Sequence, residues 1–147
     1  MDYATEFLHA QNESLVAYFK ANSTYDLETD TYRLHARPDL TGELLDLIAE
    51  TDIPATRIKT SSIYGWPVIT NHNGIVFAWT EGTHDVFLRI REDRVDAACK
   101  DGARVDPTYP ADWLNFYITR LGQDWREILK RWVKIAYEDA GLLGLTS

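Results

Sequence analysis

Four short runs rich in β-branched and aromatic residues occupy the central third of the chain, at positions 58–64, 67–70, 75–80 and 84–90. Asn73-Gly74 and Glu81-Gly82 separate the last three runs. An Asn-Gly pair favours a tight type I′ turn, since both central residues of that turn need a positive φ, which glycine adopts freely. Runs of this length joined by such turns predict an antiparallel meander of four to five strands centred on residues 58–90.

Amphipathic helices are predicted on either side of the meander, because apolar residues recur there at three- and four-residue steps. They cover residues 2–21, 40–50 and 124–140. Asp124 and Glu127 have the spacing of a capping box at the start of the last helix, and Gly141 is expected to end it. The expected fold is one α+β domain spanning residues 1–147, with the N- and C-terminal helices packed mainly on one face of the sheet.

Two segments remain open to alternative interpretations. The Trp, Phe, Tyr, Ile and Thr content of residues 113–119 favours a further strand, with a helix as the alternative. The apolar positions in residues 24–36 fit either two short strands or an extended arm.

The two glycine-bearing turns also predict which strand residues face each other. If both turns contain two residues, Val68 pairs with Trp79 across the first turn and His84 pairs with Trp79 across the second. Phe77 would then point into the core on the same face as Trp79. A three-residue second turn would shift this pairing.

Acidic residues concentrate at the start of the chain. The 147 residues include 23 Asp and Glu against 15 Lys and Arg, and residues 1–56 alone hold 11 acids and 3 bases. The net charge of −8 disfavours nucleic acid as a partner, although Arg89, Arg91 and Arg94 could form a local basic patch. The acidity either serves solubility or attracts a basic partner.

No catalytic or cofactor motif is present in the sequence. The single cysteine, Cys99, can form neither an intramolecular disulfide nor a zinc cluster, which favours a reduced, cytoplasmic protein. The glycines follow no phosphate-binding pattern, and His84 and Asp85 would point to opposite faces of a strand. No apolar run approaches the ~20 residues of a membrane span. We therefore expect no cofactor, no metal and no membrane insertion.

Trp66, Trp79 and His84 form the one grouping that indicates a ligand site, because all three would lie near the Glu81-Gly82 end of the sheet. Two indoles beside a titratable imidazole are typical of a small-molecule pocket, with His84 as the candidate general acid or base. The alternative is that the two indoles close the end of an ordinary core.

Two function hypotheses follow from these features. The leading one is a small cytoplasmic, non-catalytic binding or interaction module that regulates or neutralises a basic protein partner through its acidic N-terminal third, or that self-associates as a homodimer. The alternative is a small-molecule-binding protein or enzyme that uses the aromatic pocket around Trp66, Trp79 and His84.

Overall fold

A computed structural model describes residues 10–22 and 38–146 of the chain. Within these residues five strands form one antiparallel sheet whose spatial order follows the chain order. The strands are β1 (Ile58–Ile63), β2 (Trp66–Asn71), β3 (Val76–Glu81), β4 (Asp85–Arg89) and β5 (Trp113–Tyr117). The predicted α+β fold with an antiparallel meander is confirmed, and residues 113–117 supply its fifth strand.

The helices flank this sheet. They are α1 (Glu13–Asn22), preceded by a 3-10 turn (Ala10–Asn12), α2 (Pro38–Ala49), α3 (Val95–Lys100), α4 (Ile118–Leu121) and α5 (Trp125–Thr146). The helices predicted at 40–50 and 124–140 are confirmed, but α5 continues past Gly141, since one glycine in a helix interior costs only about 1 kcal/mol. Residues 2–9 of the predicted first helix, and the predicted strands in 24–36, lie outside the described residues. Among the described helices, none has the length and apolar character needed to cross a bilayer.

Asn73-Gly74 lies in the β2–β3 turn, as predicted, but the turn is not type I′, because Tyr64 is the one non-glycine residue of the described part of the chain with a positive φ. The Asn71 amide instead donates to the Ile75 carbonyl at 3.0 Å, across a loop of three residues. The side chain of Asn71 accepts hydrogen bonds from the backbone amides of Asn73 and Ile75, both at 3.0 Å, and Gly74 has a φ of +83°. Val68 pairs with Trp79, as expected. Farther along, the pairing shifts at a β-bulge, so that Phe77 is paired with no residue of β2. Phe77 packs in the same core as its neighbour Ala78, whereas Trp79 packs in the core on the opposite face, so the prediction that Phe77 and Trp79 share a face is wrong.

Of the two turn lengths considered at Glu81-Gly82, the three-residue loop is the one that forms. Glu81 pairs with Asp85, which leaves a three-residue loop that starts at Gly82 with a φ of +62° and ends at His84. Trp79 consequently faces Phe87 rather than His84, and the two rings stack with centroids 4.0 Å apart. The observed register buries the aromatic ring of Phe87 against an indole and leaves the imidazole in the loop, which explains why it is preferred.

Both faces of the sheet are covered. On one face, which we call the α5 face, α2 and α5 pack on side chains that include Ile69, Phe77, Ala78, Val86, Leu88, Leu114 and Phe116. On the other, the α1 face, α1 packs on Ile63, Trp66, Val68, Val76, Trp79, Phe87 and Trp113. The N-terminal helix therefore lies opposite the C-terminal one, and the prediction that both pack mainly on one face is wrong. The reason is the continuous apolar run of β3, which must be shielded from water on both sides.

Candidate functional site

The two tryptophans of the predicted pocket lie under α1. The Phe19 ring stacks on Trp66 with centroids 4.7 Å apart and meets Trp79 edge-on at 5.0 Å. Trp66 and Trp79 are thus brought together, as predicted, but Phe19 fills the space between them. A ligand could reach these indoles only if α1 moved away from the sheet.

His84 does not join the two indoles. Its side chain is exposed in the β3–β4 loop, where Nδ1 is hydrogen-bonded to the Thr83 hydroxyl at 2.7 Å. The ring centroid of Tyr117 lies 6.0 Å from that of His84. The expected contact with Trp79 is absent because Phe87 takes its place in the register. In residues 10–22 and 38–146, no group of three or more His, Cys, Asp or Glu is arranged to hold a metal ion.

The three arginines of the predicted basic patch have internal partners. Arg89 is buried, donates to Asp112 at 3.0 and 3.2 Å, and donates to the Gln11 carbonyl at 2.7 Å. Arg91 donates a bidentate pair of hydrogen bonds to the Asp93 carboxylate, at 3.1 and 2.9 Å. Because carboxylates occupy these guanidinium groups, they are poorly placed to bind phosphates.

A groove of about 490 Å³ lies between the C-terminal part of α5, the end of β4 and residues 104–112. Its apolar lining consists of Ile90, Val95, Val105, Ala111, Ala140 and Leu143. The charged side chains that line it are Arg89, Arg91, Glu92, Asp112 and Asp139. Concave, mostly apolar sites of this size with a few converging charged groups are typical of binding sites.

Exposed apolar side chains occur at this end of the molecule. Val105, in the groove lining, is 59% exposed, and Leu142, the chain neighbour of the lining residue Leu143, is 51% exposed. These are the two large apolar side chains of the described residues that stand out as exposed. Apolar surface that borders a groove is a common mark of an interaction site.

Asp139 is the buried charge of the groove. Its Oδ2 lies 3.3 Å from Arg94 Nε and its Oδ1 lies 3.9 Å from Arg91 Nη1. Burial raises the pKa of the Asp139 carboxyl, against the lowering influence of the Arg94 and Arg91 guanidinium groups. Burial therefore has a larger effect on this carboxyl than its two arginine neighbours.

A second polar cluster lies at the end of the α1 face. The ring centroids of Tyr109 and Tyr18 are 5.4 Å apart, and the Tyr109 hydroxyl has a lowering influence on the pKa of Glu81 and of Tyr18. Burial, and then the charge of Asp85 across the strand pair, raise the pKa of Glu81. Burial also raises the pKa of Tyr18 to about 12. This cluster joins α1, residues 104–112 and β3.

Part of the acidic N-terminal third is neutralised within the fold. Arg126 on α5 contacts Glu43 of α2 at 2.9 Å and also pairs with Glu50, the residue after α2, and Lys134 on α5 contacts Asp52 at 3.0 Å. Exposed ion pairs of this kind contribute little individually, but they cancel charge locally. Fewer acids of residues 43–52 are therefore available for a partner than the sequence predicts.

Sequence reasoning missed the groove. One signal was available, because Asp139 lies three residues after Ala136 and four before Leu143, inside an apolar stripe. A carboxylate in such a stripe indicates a buried charge. Val105 carried no comparable signal, since the position of an isolated valine in an irregular segment depends on what packs beside it.

No protein-family model, no curated protein and no solved structure matches this chain. Function is therefore inferred from the groove and from the charges around it.

Proposed function

We propose that this protein is a non-catalytic binding module that holds a basic, partly apolar segment of a partner protein in the groove. The observation that carries this proposal is the combination of an open apolar lining with the buried carboxylate of Asp139. The module would regulate or neutralise its partner by covering that segment.

Charge supports a basic occupant. The titratable groups that line the groove or act on Asp139 comprise five carboxyls, of Glu92, Asp93, Asp112, Glu138 and Asp139, against the three guanidinium groups of Arg89, Arg91 and Arg94. The net charge of the whole chain, which includes these groups, is −8. Complementary charge speeds association and selects against acidic segments.

The apolar part of the occupant follows from the lining. Side chains of the partner segment would cover Val105 and the apolar wall formed by Ala140 and Leu143. Burying apolar surface contributes roughly 25 cal/mol per Å², so even a short segment gains affinity there. Self-association through the same groove is the alternative that the test must separate.

Localisation in the cytoplasm belongs to the same proposal. Cys99, the single cysteine of the chain, is exposed and free, which suits a reducing compartment. Fluorescence microscopy of the tagged protein in its native cell tests this assignment.

The experiment is a binding titration with short synthetic peptides of equal apolar content that carry either lysine or glutamate at the remaining positions, followed by fluorescence anisotropy. We expect the lysine series to bind, and to weaken as salt screens the charges. Val105→Arg should reduce the affinity about tenfold or more by filling the groove mouth with a like charge. Thr60→Arg, on the exposed side of the edge strand β1, is the matched control and should bind as the wild type does.

Three results would overturn the proposal. The first is the absence of binding to any peptide of the lysine series, and the second is an equal effect of Val105→Arg and Thr60→Arg. The third is sedimentation of the wild type as a dimer that Val105→Arg converts to a monomer, which would assign the groove to a second copy of the chain.

A further inference from the structure

Asp139 is a carboxylate within an apolar part of α5. Ala136 and Leu143 lie on the same side of the helix, at the spacings that place residues one above another. Asp139 itself is only 4% exposed, and it lines the groove together with Ala140 and Leu143. A charge at such a position normally has hydrogen-bonding partners or a function.

The carboxylate of Asp139 is incompletely satisfied. Its Oδ2 accepts no hydrogen bond within residues 10–22 and 38–146, because the Arg94 Nε at 3.3 Å is not aligned with it. The contrast with Asp112 is clear, since Asp112 Oδ2 accepts two aligned hydrogen bonds from Arg89. Oδ2 is shielded from solvent, so the oxygen that a ligand in the groove would approach is Oδ1, which lies 3.9 Å from Arg91 Nη1.

We infer that Asp139 is the specificity-determining residue of the groove and that it binds the ammonium or guanidinium group of one lysine or arginine in the partner segment. This inference rests on the proposed function and deepens it, because it names the side chain that the segment must carry. The remaining contacts of the segment would be apolar.

The surroundings favour a cation over an anion. Arg91 donates two hydrogen bonds to Asp93, and Arg89 donates two to Asp112, so a carboxylate already neutralises each of these guanidinium groups. Asp93 and Glu138 raise the pKa of Asp139 further, while Arg94 and Arg91 lower it. A bound cation would favour the ionised form of Asp139, so the affinity for the cation should rise as the pH increases through the titration of this group.

The first test compares two peptides that differ only in lysine against norleucine at one position, with wild type, Asp139→Asn and Asp46→Asn. The wild type should prefer the lysine peptide by about tenfold, which corresponds to ~1.4 kcal/mol. Asp139→Asn should lose this preference but still bind the norleucine peptide. Asp46→Asn removes one exposed acid from α2, outside the groove, and should keep the preference.

The second test needs neither a peptide nor a variant. Carbon-13 NMR follows the titration of the Asp139 carboxyl in the wild-type protein, with and without n-butylammonium. We expect the cation to lower the pH at which Asp139 titrates. An unchanged titration, or a lysine preference that survives in Asp139→Asn, would overturn the inference. If n-butylammonium shifts the titration and no peptide binds, the cation site stands and the proposed function falls.

Discussion

The side chain of Asn12 gives the backbone amide of Val76 the hydrogen-bond acceptor that a neighbouring strand would otherwise provide. The Val76 amide donates to Asn12 Oδ1 at 2.8 Å, and Asn12 Nδ2 donates to the Gly74 carbonyl at 2.7 Å. The pairing of β2 with β3 shifts beside this point, so the side chain of a residue 64 positions away satisfies backbone groups next to the bulge. Asn12 is thereby buried and connects the start of α1 to the β2–β3 hairpin.

Replacing Asn12 with alanine should lower the free energy of unfolding by about 2–4 kcal/mol, because it leaves a buried amide and a carbonyl without partners. Urea denaturation measures the change. Asn22→Ala is the control, since Asn22 is exposed and its side chain donates to the Tyr18 carbonyl of its own helix. Similar losses of unfolding free energy in the two variants would mean that the hydrogen bonds of Asn12 to the β2–β3 hairpin stabilise the protein no more than the exposed bond of Asn22 does.

Phe19→Ala should destabilise the protein by about 3–5 kcal/mol, because it removes a buried ring and leaves a cavity between Trp66 and Trp79. The measurement is thermal unfolding together with the emission of the tryptophans, which should shift as water approaches the indoles. Lys20→Ala, the exposed neighbour on α1, should leave both signals near those of the wild type. An unchanged stability in Phe19→Ala would show that α1 does not seal this face.

Glu81→Gln tests the polar cluster under α1. The pKa of Glu81 is raised in the folded state, so folding favours the protonated carboxyl, and the stability from this group is present at low pH and lost as the pH rises through the folded pKa. Glutamine cannot ionise and keeps the size and one acceptor oxygen of the glutamate side chain. The variant should therefore match the wild type in stability near pH 4 and exceed it near pH 8.

Urea denaturation across this pH range gives the comparison for Glu81. The control is Glu92→Gln, which makes the same substitution at an exposed carboxyl. A stability difference between Glu81→Gln and the wild type that is constant with pH, or that favours the wild type as the pH rises, would contradict a raised pKa of Glu81 in the folded state.

Alanine substitution should change the stability of the protein in opposite directions at two glycines, Gly42 and Gly102. Gly42 lies inside α2 with no other atom near the position of an added Cβ, so Gly42→Ala should stabilise the protein by about 0.5–1 kcal/mol. Gly102 has a φ of +110°, and a Cβ there would lie 2.7 Å from Leu121 Cδ2. Gly102→Ala should therefore destabilise the protein by about 1–3 kcal/mol. Calorimetric melting temperatures measure both effects, and shifts of the same sign would refute this interpretation.

Local sequence signals predicted the elements well where the cause is itself local. Asn73-Gly74 lies in a turn because Gly74 can adopt a positive φ and Asn71 can bond the turn amides, and both properties belong to neighbouring residues. The end of α5 was mispredicted at Gly141, because packing along the helix outweighs the small penalty of one glycine.

The candidate site depended on contacts between distant residues. The proposed pocket of Trp66, Trp79 and His84 assumed a two-residue turn, and one additional loop residue places Phe87 opposite Trp79 and leaves His84 in solvent. Phe19 then fills the remaining space from a helix 60 positions away from Trp79 in the chain. Neither outcome follows from the alternation of apolar residues within one strand.

The amino-acid sequence by itself determined the α+β class, the antiparallel meander and the inward position of Phe77, since periodicity and turn chemistry act over a few residues. Only the tertiary structure decided that α1 and α5 cover opposite faces and that Asp139 lies in the groove. Those outcomes depend on which of several apolar surfaces meet, and the free energy of burying apolar area is non-directional, so it distinguishes them only when the whole chain packs.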